Sequence, residues 1–189
     1  MVALLNSDAA RLTPDEFLAW EEQQDGRHEY IAGEIHAMTG ASVPHAKIVF
    51  NLAKIFDAAI DPNNCAVFNE SVKLRHAGEL FYPDVMVTCE EYQPGREWFE
   101  APVLLAEVLS PSSQVRDREI KWARYQGMPS LQTFLLVAQH RPWMQVFRRA
   151  GDGWTSTTYT SLEEGFLVLH PECHVTLRDV YRHVPLSLG

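Results

Sequence analysis

Hydrophobic positions along the chain switch between a helical spacing and a strand-like one, and turn residues mark most of the switches. Thr13-Pro14-Asp15-Glu16 reads as a helix start, with Thr13 at the N-cap, Pro14 at the first helical position and Glu16 closing a capping box. Phe17, Leu18 and Trp20 give that helix an apolar side, and it fades by Gly26. His28–Ile31 and Glu34–Met38 flank Ala32-Gly33 and predict a hairpin in which Gly33 supplies the positive φ. From about Pro44 to Ile60, Ile48, Leu52, Ile55, Phe56 and Ala59 share one face of a second helix, which Asp61-Pro62-Asn63-Asn64 stops. Four apolar or alternating segments come next: Cys65–Asn69, Val72–Arg75, Pro83–Cys89 and Pro102–Leu109. Ser112 caps a helix running to about Gln126, broken by Gly127 and Pro129. Phe134–Ala138, Trp143–Arg148 and Trp154–Tyr159 then read as strands, with Ala150-Gly151-Asp152-Gly153 as a hairpin turn, and Leu177–His183 forms a short last helix. The order predicts a single α+β domain over residues 1–189, a mixed sheet flanked by helices, with one right-handed parallel crossover between 102 and 138.

Two of the apolar runs carry a carboxylate. Asp84 follows Pro83 at the head of Tyr82-Pro83-Asp84-Val85-Met86-Val87, and Glu107 lies inside Val103-Leu104-Leu105-Ala106-Glu107-Val108-Leu109. Burying an unpaired charge in a strand is expensive, so something must compensate each. A divalent cation shared by Asp84 and Glu107 is the most economical candidate, because hard cations take oxygen ligands.

Composition sets bounds on this picture. At 189 residues the chain is long enough for one full core and short for two, and 46% hydrophobic with 22% charged residues is ordinary for a globular domain. No apolar run reaches the roughly 20 residues that span a bilayer. Cys65, Cys89 and Cys173 are odd in number and lack CxxC spacing, so no disulfide framework or zinc knot is expected, and the cytoplasm is the default address. A net charge of −9 argues against a protein that coats nucleic acid, although bound cations reverse the local field at a cluster of carboxylates.

The order of elements and acids is similar to the PD-(D/E)XK nuclease fold. More closely, the chain resembles the Uma-two family of restriction-endonuclease-like proteins. The phrases that carry this are Glu29-Tyr30-Ile31-Ala32-Gly33-Glu34-Ile35, His45 at a helix start, Phe81-Tyr82-Pro83-Asp84-Val85, Glu107-Val108-Leu109-Ser110-Pro111-Ser112, then Asp117, Lys121, Tyr125 and Pro129-Ser130-Leu131. The resemblance implies a Mg²⁺- or Mn²⁺-dependent phosphodiesterase acting on DNA, most simply as a homodimer. It departs from the superfamily at one point: the lysine expected two residues after the glutamate is Leu109 here, and the family's pattern places a lysine at Lys121 instead.

Asp84, Glu107, Lys121 and Glu34 are therefore the expected catalytic residues, with Asp84 and Glu107 on the metal. Asp117, Lys121 and Tyr125 fall at i, i+4 and i+8 on one helix face. Glu29 and His45 are further candidates, and Arg116, Arg118 and Arg124 make the site helix locally basic, as phosphate contacts would be. The five tryptophans read as core or interface aromatics. The competing reading is a catalytically silent nucleic-acid-binding or protein-interaction domain that keeps the fold; Leu109 and the acidic total favour it, while Asp84, Glu107 and Lys121 favour the enzyme.

Overall fold

The computed structural model describes residues 12–38, 40–110 and 116–186. Helix α1 (Pro14–Glu21) starts at the capping box, in which the Thr13 hydroxyl accepts from the Glu16 amide at 3.2 Å and the Glu16 carboxylate accepts from the Thr13 amide at 2.7 Å. Strands β1 (His28–Ile31) and β2 (Glu34–Ala37) form the hairpin, and Ala32 as well as Gly33 takes a positive φ. The Ala32 amide offsets that strain by donating to Glu79 Oε1 at 2.8 Å. Helix α2 (Val43–Asp57) is capped by the Ser42 hydroxyl, which accepts from the His45 amide, and buries Ile48, Val49, Leu52 and Phe56.

Three strands follow: β3 (Ala66–Phe68), β4 (Lys73–His76) and β5 (Glu79–Phe81). Strand β6 (Val85–Thr88) begins just beyond Pro83. In sequence, Glu79 to Val87 is nearly one apolar run, but proline has no N–H for a ladder and breaks it. β5 stays in a five-stranded sheet of order β2-β1-β5-β4-β7, whereas β6 enters a six-stranded sheet of order β11-β10-β9-β8-β6-β3. The remaining members are β7 (Trp98–Phe99), β8 (Pro102–Leu109), β9 (Thr133–Ala138), β10 (Met144–Ala150) and β11 (Gly153–Tyr159). β8 and β9 are parallel, joined through a segment that includes a π-helical turn at Arg116–Lys121 and helix α3 (Trp122–Tyr125). Ser112, the expected cap of this helix, lies outside the described residues, as do the side chains of Arg116, Asp117 and Arg118.

The six-stranded sheet is covered on both faces, which is why β8 reads as a continuous apolar run. Val85, Val87, Leu104, Ala106 and Val108 face α2, together with Phe166 and Val175 of a hairpin, β12 (Gly165–Leu169) and β13 (Glu172–Thr176), and Leu177 of helix α4 (Leu177–Val180). Met86, Leu105, Leu109, Phe134 and Leu136 face the other way, against Leu74 and Phe81 of the five-stranded sheet and Tyr125 of α3. The β12–β13 hairpin was not among the expected elements. At Gly165 an added Cβ would meet the His174 ring at 2.8 Å and the Val175 carbonyl at 2.9 Å, so this close pairing requires glycine.

One expectation from the sequence is overturned. Cys65 and Cys89 form a disulfide across the position that extends the β3–β6 ladder by one pair beyond Ala66–Thr88. A separation of 24 residues carries no motif; only antiparallel pairing makes the two thiols neighbours. Because β3 is an edge strand with three paired residues, the cross-link supplies much of its anchorage. Replacing Cys65 with serine is expected to lower unfolding free energy by about 2–4 kcal/mol, the usual effect of opening such a loop. Denaturant titration of the oxidised wild type beside Cys65→Ser measures it, and reductant should move the wild type alone.

Candidate active site

The chain passes from one sheet to the other at Pro83, and this seam is where the acidic residues collect. Continuing the β6–β8 register one step beyond Val85–Ala106 sets Asp84 opposite Glu107. The Val108 amide donates to Asp84 Oδ2 at 2.6 Å, which ties the Asp84 carboxylate to the end of β8. Glu107 falls between Leu105 and Leu109 on the face that meets the five-stranded sheet, a polar group in an apolar layer. The segment leading to α3 returns over this face. Lys121 Nζ lies 3.1 Å from both Glu107 oxygens and 2.8 Å from Glu29 Oε1, and the Tyr125 hydroxyl donates to Glu107 Oε1 at 2.9 Å. Glu29 also accepts from the Tyr82 amide at 3.1 Å. All four side chains are buried, with Glu107 only 1% exposed. Burial foremost, and then the charge on Glu107, push the Tyr125 hydroxyl well above its ordinary pKa, so it stays a donor.

The π-helical turn ends on Lys121. Such turns concentrate at functional positions because the extra residue re-aims the side chains around it. Here Lys121 and Tyr125 both reach Glu107, while Leu109, in the superfamily's lysine position, packs into the core.

A second group adjoins the first through Asp84. His45 Nε2 lies 3.4 Å from Asp84 Oδ1 and 3.2 Å from Glu70 Oε1, and donor atoms of the three residues all lie within 4.8 Å of one another. Ser42 sets His45 in the first turn of α2, and Ser42 itself donates to Gln139 Oε1. Glu70 takes a left-handed φ of 50°; its amide donates to the Pro83 carbonyl at 3.2 Å, and Arg27 donates to its carbonyl. Burial alone would lower the His45 pKa, but the contacts with Asp84 and Glu70 outweigh it and raise it to about 10. The same contact with His45 holds the Glu70 carboxyl below its ordinary value.

These three residues fit a divalent cation on one observation. Although buried and close to two carboxylates, His45 Nε2 has no aligned hydrogen-bond partner. A ring nitrogen in that state beside two carboxylate oxygens could give up its proton to a cation that all three residues ligate. Carboxylate oxygens suit Mg²⁺ and Mn²⁺, and an imidazole nitrogen adds a ligand of the kind first-row transition ions take.

The expected site residues thus divide. Asp84 joins His45 and Glu70, whereas Glu107 joins Lys121, Tyr125 and Glu29. Glu34 stands apart: its side chain is 73% exposed and 3.8 Å from His36. The two-residue turn pairs Glu29 with His36 and Ile31 with Glu34, so Glu29 and Glu34 share a face of the hairpin. Their surroundings differ because β2 is a sheet edge and β1 is not. Arg124 is committed to Glu79 at 2.8 Å. Trp122 stacks on Phe134 with ring centroids 5.3 Å apart, a core contact. Glu70 and Arg27 did not stand out in the sequence, since each lies just outside a strand with nothing periodic to mark it.

Residues 14–177 match the family model Uma2, described as a putative restriction endonuclease. The chain is 35% identical over 153 residues to the uncharacterized protein slr1290 of Synechocystis sp., covering 79% of this chain and 80% of that protein. It is 34% identical over 146 residues to a second uncharacterized protein of that organism, sll1609, covering 75% and 82%. In three dimensions it superimposes on the crystal structure of a putative nuclease belonging to DUF820 from Anabaena variabilis, with a TM-score of 0.74 at 20% identity, over 90% of this chain and 97% of that one. The shared fold is restriction-endonuclease-like, and the chain belongs to the Uma2 family of putative restriction endonucleases.

Proposed function

We propose that the protein is a metal-dependent endodeoxyribonuclease that hydrolyses phosphodiester bonds in DNA. The observation that carries this reading is the buried His45 nitrogen held without an aligned partner between Glu70 and Asp84, next to a Lys–Glu pair. His45, Glu70 and Asp84 would hold the ion, Mn²⁺ or Mg²⁺. Such an ion, when bound, polarises a phosphoryl oxygen and makes a bound water more acidic.

The chain's own groups do the rest. The Val108 N–H fixes Asp84 Oδ2, which leaves Oδ1 turned to His45. Lys121 puts a positive charge beside Glu107, where it stabilises the charge that develops on a phosphate under attack. Tyr125 orients the Glu107 carboxylate, which we assign as the acceptor for a proton leaving the attacking water. Among the described residues no helix is long and apolar enough to cross a membrane. We propose a homodimer, because one site per chain meets one strand of a duplex at a time.

With Mn²⁺ or Mg²⁺ the protein is expected to nick supercoiled plasmid, and Asp84→Ala to lose several kcal/mol of barrier lowering, roughly 10³-fold in rate. Lys121→Ala should reduce the rate while leaving Mn²⁺ affinity nearly unchanged. It should also destabilise the fold by about 3–5 kcal/mol, since it strands two buried carboxylates. Mn²⁺ binding without cleavage of any DNA tested would identify a silent binding domain instead.

A pH dependence follows from His45. In metal-free protein its pKa is raised from 6.5 to about 10, so the stability it contributes is full below pH 6.5 and fades as pH rises toward 10. His45→Gln should flatten that slope in denaturant titrations run in EDTA at pH 6, 8 and 10. Because only the neutral ring ligates, Mn²⁺ affinity should rise over the same window with release of about one proton per ion.

A further inference from the structure

We infer that Arg27 is the residue that grips the phosphate backbone of the substrate at the lip of this site, an inference that rests on the nuclease reading above. Arg27 closes the loop between α1 and β1, and its carbonyl accepts from the Met38 amide at 2.9 Å, which pins the base of the hairpin that carries Glu29. Its exposed side chain turns toward the seam. One guanidinium N–H goes to the Glu70 carbonyl, and the guanidinium carbon lies 5.9 Å from the Tyr82 ring centroid, two residues before Asp84. A positive group therefore stands beside the two connections that supply Glu70 and Asp84, two of the three candidate metal ligands.

Its neighbours in charge are already engaged. Lys73 is held by Glu21 at 3.2 Å and Glu97 at 3.0 Å, Arg124 by Glu79, and Lys121 is buried between Glu29 and Glu107. Arg27 contacts a carbonyl and a ring, and its charge also acts on the Glu70 carboxylate, but among the described residues no carboxylate holds it in an ion pair. Most of its five N–H donors remain for a ligand, and the planar fork matches two phosphate oxygens at once. In a chain of net charge −9, a polyanion needs a local cation of this kind to approach carboxylates. A cleft of about 410 Å³ that Arg27 and Tyr82 help to line is otherwise walled by Glu21, Glu22, Asp25 and Glu97 as well as Lys73. Its acidic wall disfavours a second phosphate there, so the backbone runs past Glu70 and His45.

The alternative role is purely structural: Arg27 would only hold Glu70 in its left-handed conformation. Fluorescence anisotropy of a labelled duplex oligonucleotide, in Ca²⁺ and at several salt concentrations, separates the two when paired with Mn²⁺ titration calorimetry on the same variants. For Arg27→Ala the expected result is about tenfold weaker DNA binding, with the slope of log affinity against log salt shallower by about 0.9. Mn²⁺ affinity should stay within twofold of wild type, KM should rise more than kcat falls, and Arg27→Lys should recover the salt slope but only part of the affinity. A loss of Mn²⁺ affinity equal to the loss of DNA binding, or an unchanged salt slope, overturns the inference in favour of the structural role. If the wild type cuts DNA and Arg27→Ala binds it equally well, this inference alone fails; if the wild type binds Mn²⁺ but neither binds nor cuts DNA, the nuclease reading fails and takes Arg27 with it.

Discussion

The Lys121 ammonium, buried between Glu107 and Glu29, is the contact on which the rest of the structure depends. It joins three separate parts of the chain: a strand of the six-stranded sheet, a hairpin of the five-stranded sheet, and the crossover between β8 and β9. Two carboxylates and one ammonium cannot be buried cheaply, because the desolvation of each ion competes with their attraction. The excess negative charge is met by fixed donors, the Tyr125 hydroxyl on Glu107 and the Tyr82 amide on Glu29. The donors and acceptors of the cluster come from both sheets and from the crossover, so the cluster ties the three together.

Pro83 sets where that closure happens. By ending β5 before β6 begins, it lets consecutive residues enter different sheets and leaves Asp84 in the gap. A residue at such a seam is fixed from both sides without belonging to either ladder. Asp84 is held by the Val108 amide, and the Glu70 amide is held by the Pro83 carbonyl. The backbone thus aims two carboxylates at the first turn of α2, where His45 stands. Preorganisation of this sort is what a hydrolytic site needs, since groups already in place cost no reorganisation when charge develops.

The disulfide belongs to the same design in a mechanical sense. Cys65–Cys89 closes the β3–β6 ladder at one end, and Glu70 and Asp84 flank its other end. An edge strand of three residues has few hydrogen bonds to hold it in register. Covalent closure compensates for that shortness and keeps the Glu70 side of the site from drifting.

Much of this was legible in the chain itself. The capping box of α1, the hairpin, the apolar face of α2 and the eight-residue run of β8 followed from periodicity and turn chemistry, which are local properties. So did the two misplaced carboxylates, because an acid inside an apolar strand is conspicuous wherever it lies. What lay beyond local pattern depended on pairing across distance. The Cys65–Cys89 bond exists because β3 runs antiparallel to β6. Glu29 is buried and Glu34 exposed because β1 is interior and β2 is an edge, although a two-residue turn puts both on one face. β5 was hidden in a continuous apolar stretch that only the sheet switch at Pro83 divides. Glu70 and Arg27 carry no periodic signal, being loop residues whose surroundings arrive from elsewhere in the chain. The sequence alone determined which groups could do chemistry; which of them meet was decided by the tertiary structure, since contact between residues far apart depends on strand order and register.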